Sequence, residues 1–196
     1  MKATRLSVSA LFVAVSLALA TSASANEVPP APDLAEESQY QSNVISVTFD
    51  APLPVVRAFM DARPITEFLE PSGNIPQITG IEVLQGPWGS IPSLRRVDLD
   101  GGYHVHERVL TNDADELTYQ IWDITAPSGR FIDHIYGELR LTEIGGQTQM
   151  TWSYNIKPSI FFARPFIRSY LDDDFRPFME NGLTGFAAAF TQAQAS

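Results

Sequence analysis

The 196-residue sequence contains no cysteine. Disulfide staples, thiolate nucleophiles, thiolate metal ligands and a lipid-modified cysteine anchor are therefore all excluded. Basic residues are scarce: 13 Lys and Arg stand against 23 Asp and Glu, a net charge of −10 with histidine neutral. That balance disfavours nucleic acid and anionic membrane surfaces as partners, since both require a positive face. Beyond residue 20 no apolar run approaches the ~20 residues that a transmembrane helix needs. The phosphate-cradling glycine loop, the dinucleotide fingerprint and the Gly-x-Ser-x-Gly nucleophile elbow are missing as well. Internal repeats are also lacking, so the chain must be held together by one core of its own.

The N-terminus carries a leader pattern. Lys2 and Arg5 precede an apolar stretch over residues 11–20, and Ala23-Ser24-Ala25 offers a small-residue cleavage site. Residues 1–25 are expected to be a signal peptide and the product to be exported, either periplasmic or secreted. Without Lys2 and Arg5, 11 basic residues face 23 acidic ones, a net charge of −12. Residues 26–43 contain Pro29, Pro30, Pro32, Asp33, Glu36 and Glu37 and few large apolar side chains. They read as a flexible tether. The remainder, 44–193, is long enough to bury a real core as one domain.

Within that domain the hydrophobic period changes twice. Residues 44–49 alternate and are β-rich, a first strand. Two short helices follow, one after Asp50 with Val55, Val56, Phe59 and Met60 inward, one after Pro64 with Ile65, Phe68 and Leu69 inward. From Gly80 the period is two. Strands are expected over 81–84, 94–99, 103–110, 117–124, 132–142 and 148–156, joined by glycine-rich or Asn/Asp turns. Connections this short imply antiparallel neighbours. The last third returns to helical spacing. Phe166, Ile167, Tyr170, Leu171, Phe175, Phe178, Met179, Gly182, Leu183, Phe186 and Phe190 draw one broad apolar stripe. Pro165 suits a first turn, whereas Pro177 predicts a kink or restart near residues 173–176. The fold class is α+β: a curved antiparallel sheet of about seven strands around a long C-terminal helix.

Motifs of one superfamily appear in order along this frame. Arg96, the turn Gly101-Gly102 and Glu107-Arg108-Val109-Leu110 come first. Ile135-Tyr136-Gly137-Glu138-Leu139 follows, then Gly145-Gly146-Gln147-Thr148 leading to Trp152, and Gly182-Leu183 in the last helix. Together they resemble the START / polyketide cyclase (SRPBCC) superfamily with its helix-grip fold, over about residues 44–192. The resemblance implies a cavity between sheet and C-terminal helix that binds a lipid or other apolar small molecule. It also implies an alternative, a cyclase or dehydratase in which Glu107 is the general acid or base and Tyr119 a proton donor.

The residues themselves give a candidate lining. Tyr119 and Ile121, and Trp152 and Tyr154, share strand faces, which reads as a pocket wall or as plain core packing. Tyr103 and Glu107 belong to the apolar phase of their strand. A carboxylate there needs a partner, and Arg96 on the preceding strand is the expected one. Val97 and Leu99 would turn Arg96 outward unless a bulge intervenes. Phe175, Phe178 and Gly182 are expected to face the same space from the helix. His104 and His106 form a His-x-His pair that a metal could bridge, with His134 as a third ligand. Both fall on the polar face and the usual glutamate spacing is missing, so no metal and no cofactor are expected. An apolar ligand is the expected partner. A third reading is an interaction module that binds protein through the loops at 86–92 and 126–129.

Overall fold

The computed structural model describes residues 28–195; the expected signal peptide lies outside them. Seven strands form one antiparallel sheet: β1 (Gln41–Phe49), β2 (Ile78–Gln85), β3 (Leu94–Leu99), β4 (Tyr103–Asn112), β5 (Glu116–Trp122), β6 (Ile132–Ile144) and β7 (Gln147–Pro158). Their spatial order is β1-β7-β6-β5-β4-β3-β2. Only β1 departs from sequence order, pairing with β7 along Gln41↔Ile156 to Phe49↔Thr148. Helix α1 (Leu53–Ala62) and a 3₁₀ turn (Ile65–Phe68) fill the excursion between β1 and β2. Both expected helices are therefore present, the second as a single 3₁₀ turn.

The C-terminal helix lies in the concave face of the sheet. It comprises α2 (Arg164–Tyr170), a π-helical turn (Leu171–Phe175) and α3 (Arg176–Gln194). Proline at position 177 has no N–H to give and would clash with the carbonyl four residues earlier. The chain answers with a wider turn, in which Arg176 N–H donates to the Leu171 carbonyl. The helix thus continues through the expected break. Buried Asn43 on β1 donates its side-chain amide to the same Leu171 carbonyl. Asp174, inside the turn, accepts from Asn74 N–H at 2.8 Å and so ties the helix to the loop before β2.

The grip is tightest along α3. The Phe186 ring is fully buried and meets Phe59, Phe68 and Phe49 edge-on at centroid distances of 5.2, 5.6 and 5.8 Å. Phe190 meets Phe49 and Phe59 at 5.0 and 5.3 Å. Gly185 and Gly182 let the 3₁₀ turn approach: a Cβ at Gly182 would lie 2.5 Å from Leu69 Cδ2.

Residues 29–40 are not the free tether that their composition suggests. They lie across the outer face of the sheet, where Trp122 Nε1 donates to the Pro29 carbonyl (2.8 Å) and Gln120 Nε2 to the Pro32 carbonyl (2.9 Å). The Tyr40 hydroxyl meets His134 Nε2 at 2.8 Å. This strap explains why Thr118 to Trp122 are buried on both strand faces. Polar side chains on the back of the sheet gave its backbone carbonyls something to bond, a pairing that composition does not register.

Phe186→Ala removes a buried ring on which three others converge. It is expected to lower unfolding free energy by about 3–5 kcal/mol. A loss in urea unfolding below ~1 kcal/mol would contradict the packing described.

Candidate functional site

Where α3 gives way to the π turn, helix and sheet separate and a cavity of about 500 Å³ opens. Its walls come from the inward phase of β3 to β7. Val97, Leu99, Val105, Glu107, Tyr119, Ile121, Ile135, Leu139, Trp152 and Tyr154 form the palm, and Tyr170, Phe175 and Phe178 the helical side. Ile65, Leu69 and Ile75 cover it. One end is crossed by Arg57, which binds Asn112 Oδ1 at 2.5 Å and Asp61 Oδ1 at 3.1 Å, joining α1 to the β4–β5 hairpin. The other end lies near Ala126, Ser128 and Tyr170.

Register decides which arginine enters. Cα pairing sets Arg95 opposite Glu107 and Arg96 opposite His106, with no bulge between β3 and β4. Arg95 shares the inward phase of Val97 and Leu99, so the Glu107 partner is Arg95 and not Arg96. Arg95 Nε and Nη2 reach Glu107 Oε2 at 2.7 and 2.6 Å, and both residues are buried. The guanidinium also stacks on Trp88, 3.4 Å from the ring centroid. Arg96 points outward to Asp98 (2.8 Å) and Glu82 (3.2 Å). Among the described residues Glu107 Oε1 makes no hydrogen bond. No buried side-chain polar atom among the described residues lacks a partner, so this oxygen opens onto the cavity. An apolar chamber thus holds one charged pair with an acceptor left free.

Two phenols lie beside it. Trp152 Nε1 donates to the Tyr119 hydroxyl at 2.9 Å. Tyr119 and Tyr154 rings are 6.2 Å apart, and Tyr154 packs on Phe175 at 5.1 Å. Burial raises the pKa of both hydroxyls well above the ordinary tyrosine value, with neighbouring Glu107 adding to the effect. Burial also pushes Tyr170 up to about 12. Gly137 makes room for this arrangement: a Cβ there would sit 2.2 Å from the Tyr119 ring. Arg95, Trp88, Leu69 and Gly137 are the cavity or support residues that reading the sequence missed. The phase of Val97 and Leu99 was the available signal for Arg95.

Of the residues expected at the site, Glu107, Tyr119, Ile121, Trp152, Tyr154, Phe175 and Phe178 meet around the cavity. Three do not. Arg96 is on the outer face. Tyr103 borders a more open recess beside Arg130, Phe166 and Tyr170, because it lies at the β4 end beyond the chamber. Gly182 receives Leu69 and is not part of the wall. The His-x-His pair is also outside, on the back of the sheet: Asp123 Oδ2 bridges His104 Nε2 (3.2 Å) and His106 Nδ1 (3.0 Å). His134 is not with them; it is held by Tyr40 and Asp133.

This architecture has known counterparts. The Zhui aromatase/cyclase from Streptomyces superposes with a TM-score of 0.58 at 17 % identity, covering 78 % of this chain and 94 % of its own. Ginseng major latex-like protein 151 from Panax ginseng gives 0.56 at 16 %, covering 78 % and 98 %. Ara h 8.0201 gives 0.54 at 13 %, covering 78 % and 99 %. The fold is the helix grip that these solved structures share. No family model matches the sequence, and no curated protein is significantly similar to it. The helix grip is therefore shared while sequence identity stays low, and function must be argued from the cavity.

Two outcomes test the site's electrostatics. Arg95→Met strands the Glu107 carboxylate in an apolar chamber and is expected to cost about 3–5 kcal/mol. Adding Glu107→Leu should recover most of it, whereas Arg96→Met should leave the urea midpoint unchanged; equal effects at 95 and 96 would refute the assignment. The phenols give a pH signature. They hold their protons more tightly folded than unfolded, so their contribution is complete below the unfolded value of ~10 and is lost as pH rises through the folded values. Stability should therefore fall from pH ~10 upward, through the value of about 12 for Tyr170. Tyrosinate absorbance should lag that of the unfolded chain over the same range.

Proposed function

We propose that the protein is an exported carrier that binds a lipid or other apolar small molecule with one polar end in the chamber between sheet and helix. The observation that carries this reading is the apolar cavity of about 500 Å³ with a single buried charged cluster, Arg95 and Glu107, facing it. The volume falls in the range of small-molecule sites. Burial of apolar ligand surface, at roughly 25 cal/mol per Å², supplies affinity. The free Glu107 Oε1 accepts a hydrogen bond from a ligand hydroxyl or amide and sets orientation. The leader pattern of residues 1–25 supports export, and the strong acidic excess suits a protein that stays dispersed after delivery.

A catalytic reading draws on the same cluster. Glu107 could exchange a proton with a bound polyketide-like substrate while Tyr119, protonated far into the alkaline range, donates a hydrogen bond to a developing oxyanion. Two of the structural counterparts are aromatase/cyclases. The carrier reading is preferred because activated polyketide intermediates are cytoplasmic, and because Arg95 already occupies one oxygen of Glu107.

The neutral dye N-phenyl-naphthylamine should bind saturably with enhanced emission. Phe178→Trp, which fills the chamber, should weaken it by about tenfold. Glu107→Gln should leave dye affinity nearly unchanged while altering affinity for hydroxylated ligands. Absence of saturable binding to any apolar probe, or loss of turnover in Glu107→Gln with an identified substrate, would displace the carrier reading.

A further inference from the structure

Exposed large apolar residues cluster at two places among the described residues: along the edge strand β2 and its following loop (Ile81, Val83, Leu84, Ile91), and, with the most exposed aromatic rings, after β7. The link from β7 into α2 exposes Ile160 (53 %), Phe161 (76 %) and Phe162 (88 %), and Phe166 beyond them is 42 % exposed. Phe161 and Phe162 sit on a 3₁₀ turn (Phe161–Ala163) with rings 5.9 Å apart. Their backbone is fixed: Ala163 N–H donates to the Ile160 carbonyl, and Ser159 N–H to the Phe131 carbonyl. Two neighbouring phenyl rings held rigidly in water are a recognition feature, since soluble proteins rarely leave such surface uncovered.

Charge says what covers it. Acidic residues outnumber basic ones across the chain, yet residues 144–171 contain no Asp or Glu and carry Lys157, Arg164 and Arg168. Arg130 joins them, since the Phe131 and Phe166 rings are in contact at 5.1 Å. Lys157, Arg164 and Arg130 form no ion pair among the described residues, while Arg168 is paired with Asp172. The net charge disfavours an anionic surface for the chain as a whole; locally three cations without an ion-pair partner offset it, while nearby Asp133 is engaged by His134 and Asp172 by Arg168. Apolar rings at a tip with cations behind them match the interface of an anionic bilayer, where rings enter the acyl boundary and guanidinium groups meet phosphate.

Position adds the third observation. Phe166 and Arg130 border the more open recess together with Asp173 and Asp174, and that recess shares Ile75, Pro76, Ala126, Ser128 and Tyr170 with the chamber. A surface touching the tip therefore lies beside the open end of the chamber. We propose that the Ile160–Phe162 tip docks the protein reversibly on an anionic lipid surface, placing that end of the cavity against the bilayer. This rests on the carrier reading for its purpose, though not for its physics. No helix among the described residues is long and apolar enough to cross a membrane, so the contact is peripheral.

The test is flotation of the purified protein with equimolar phosphatidylcholine–phosphatidylglycerol vesicles, beside N-phenyl-naphthylamine binding in solution. The wild type should float with these vesicles, less with pure phosphatidylcholine and less again at high salt. Phe161→Ser/Phe162→Ser should weaken vesicle binding by about tenfold or more and leave dye affinity and oligomeric state unchanged. Dye binding without flotation overturns the docking proposal and leaves the carrier reading standing. Flotation without dye binding does the reverse. Unaltered flotation of the double variant, or conversion of a wild-type dimer to monomer by it, also overturns docking, the latter by assigning the tip to a second copy of the chain.

Discussion

Everything in this molecule follows from how firmly a bent sheet can hold a helix that does not fill it. Phe186 supplies the hold: its ring is wedged among rings from β1, α1 and the 3₁₀ turn, so the C-terminal half of α3 has no freedom to settle deeper. With one end of the helix pinned and the π turn tied to Asn43 and Asn74 at the other, the strands between must bridge a gap. The cavity is the space that this two-point attachment leaves, and its aromatic lining keeps it from collapsing.

A chamber built this way tolerates charge only under strict terms. Arg95 and Glu107 are acceptable inside because each neutralises the other and Trp88 covers the guanidinium face. The pair contributes little net stability against an apolar equivalent. Tyr119 and Tyr154 extend the same logic with neutral groups, which remain protonated because burial opposes their anions.

The architecture was legible in the sequence because it depends on periods. Alternation located the strands, and spacings of three and four located the gripping helix, including the anomaly at Pro177. The palm residues Tyr119, Ile121, Trp152 and Tyr154 were legible for the same reason. Arg96 fits a familiar motif, but the phase of Val97 and Leu99 sends it outward, and a one-residue shift turns a side chain to the opposite face. At Gly182 sequence shows that space is needed but not which neighbour takes it; here it is Leu69 and not the chamber. Tyr103 has the right phase and the wrong height along β4. None of the bonds to Pro29 and Pro32 could be read, since a backbone carbonyl has no signature in composition.

That last feature sets where the folding unit begins. The back of β5 is finished by carbonyls from a segment that alternation alone would discard, and β1 itself starts at Gln41. A fragment cut at residue 44 would lose three residues of an edge strand and leave the Trp122 indole, the Gln120 amide and the His134 ring facing water or one another. The proline-rich stretch behaves as a backing strip for the curved sheet, and the packed segment reaches back at least to Pro29, some fifteen residues before the first recognisable β pattern.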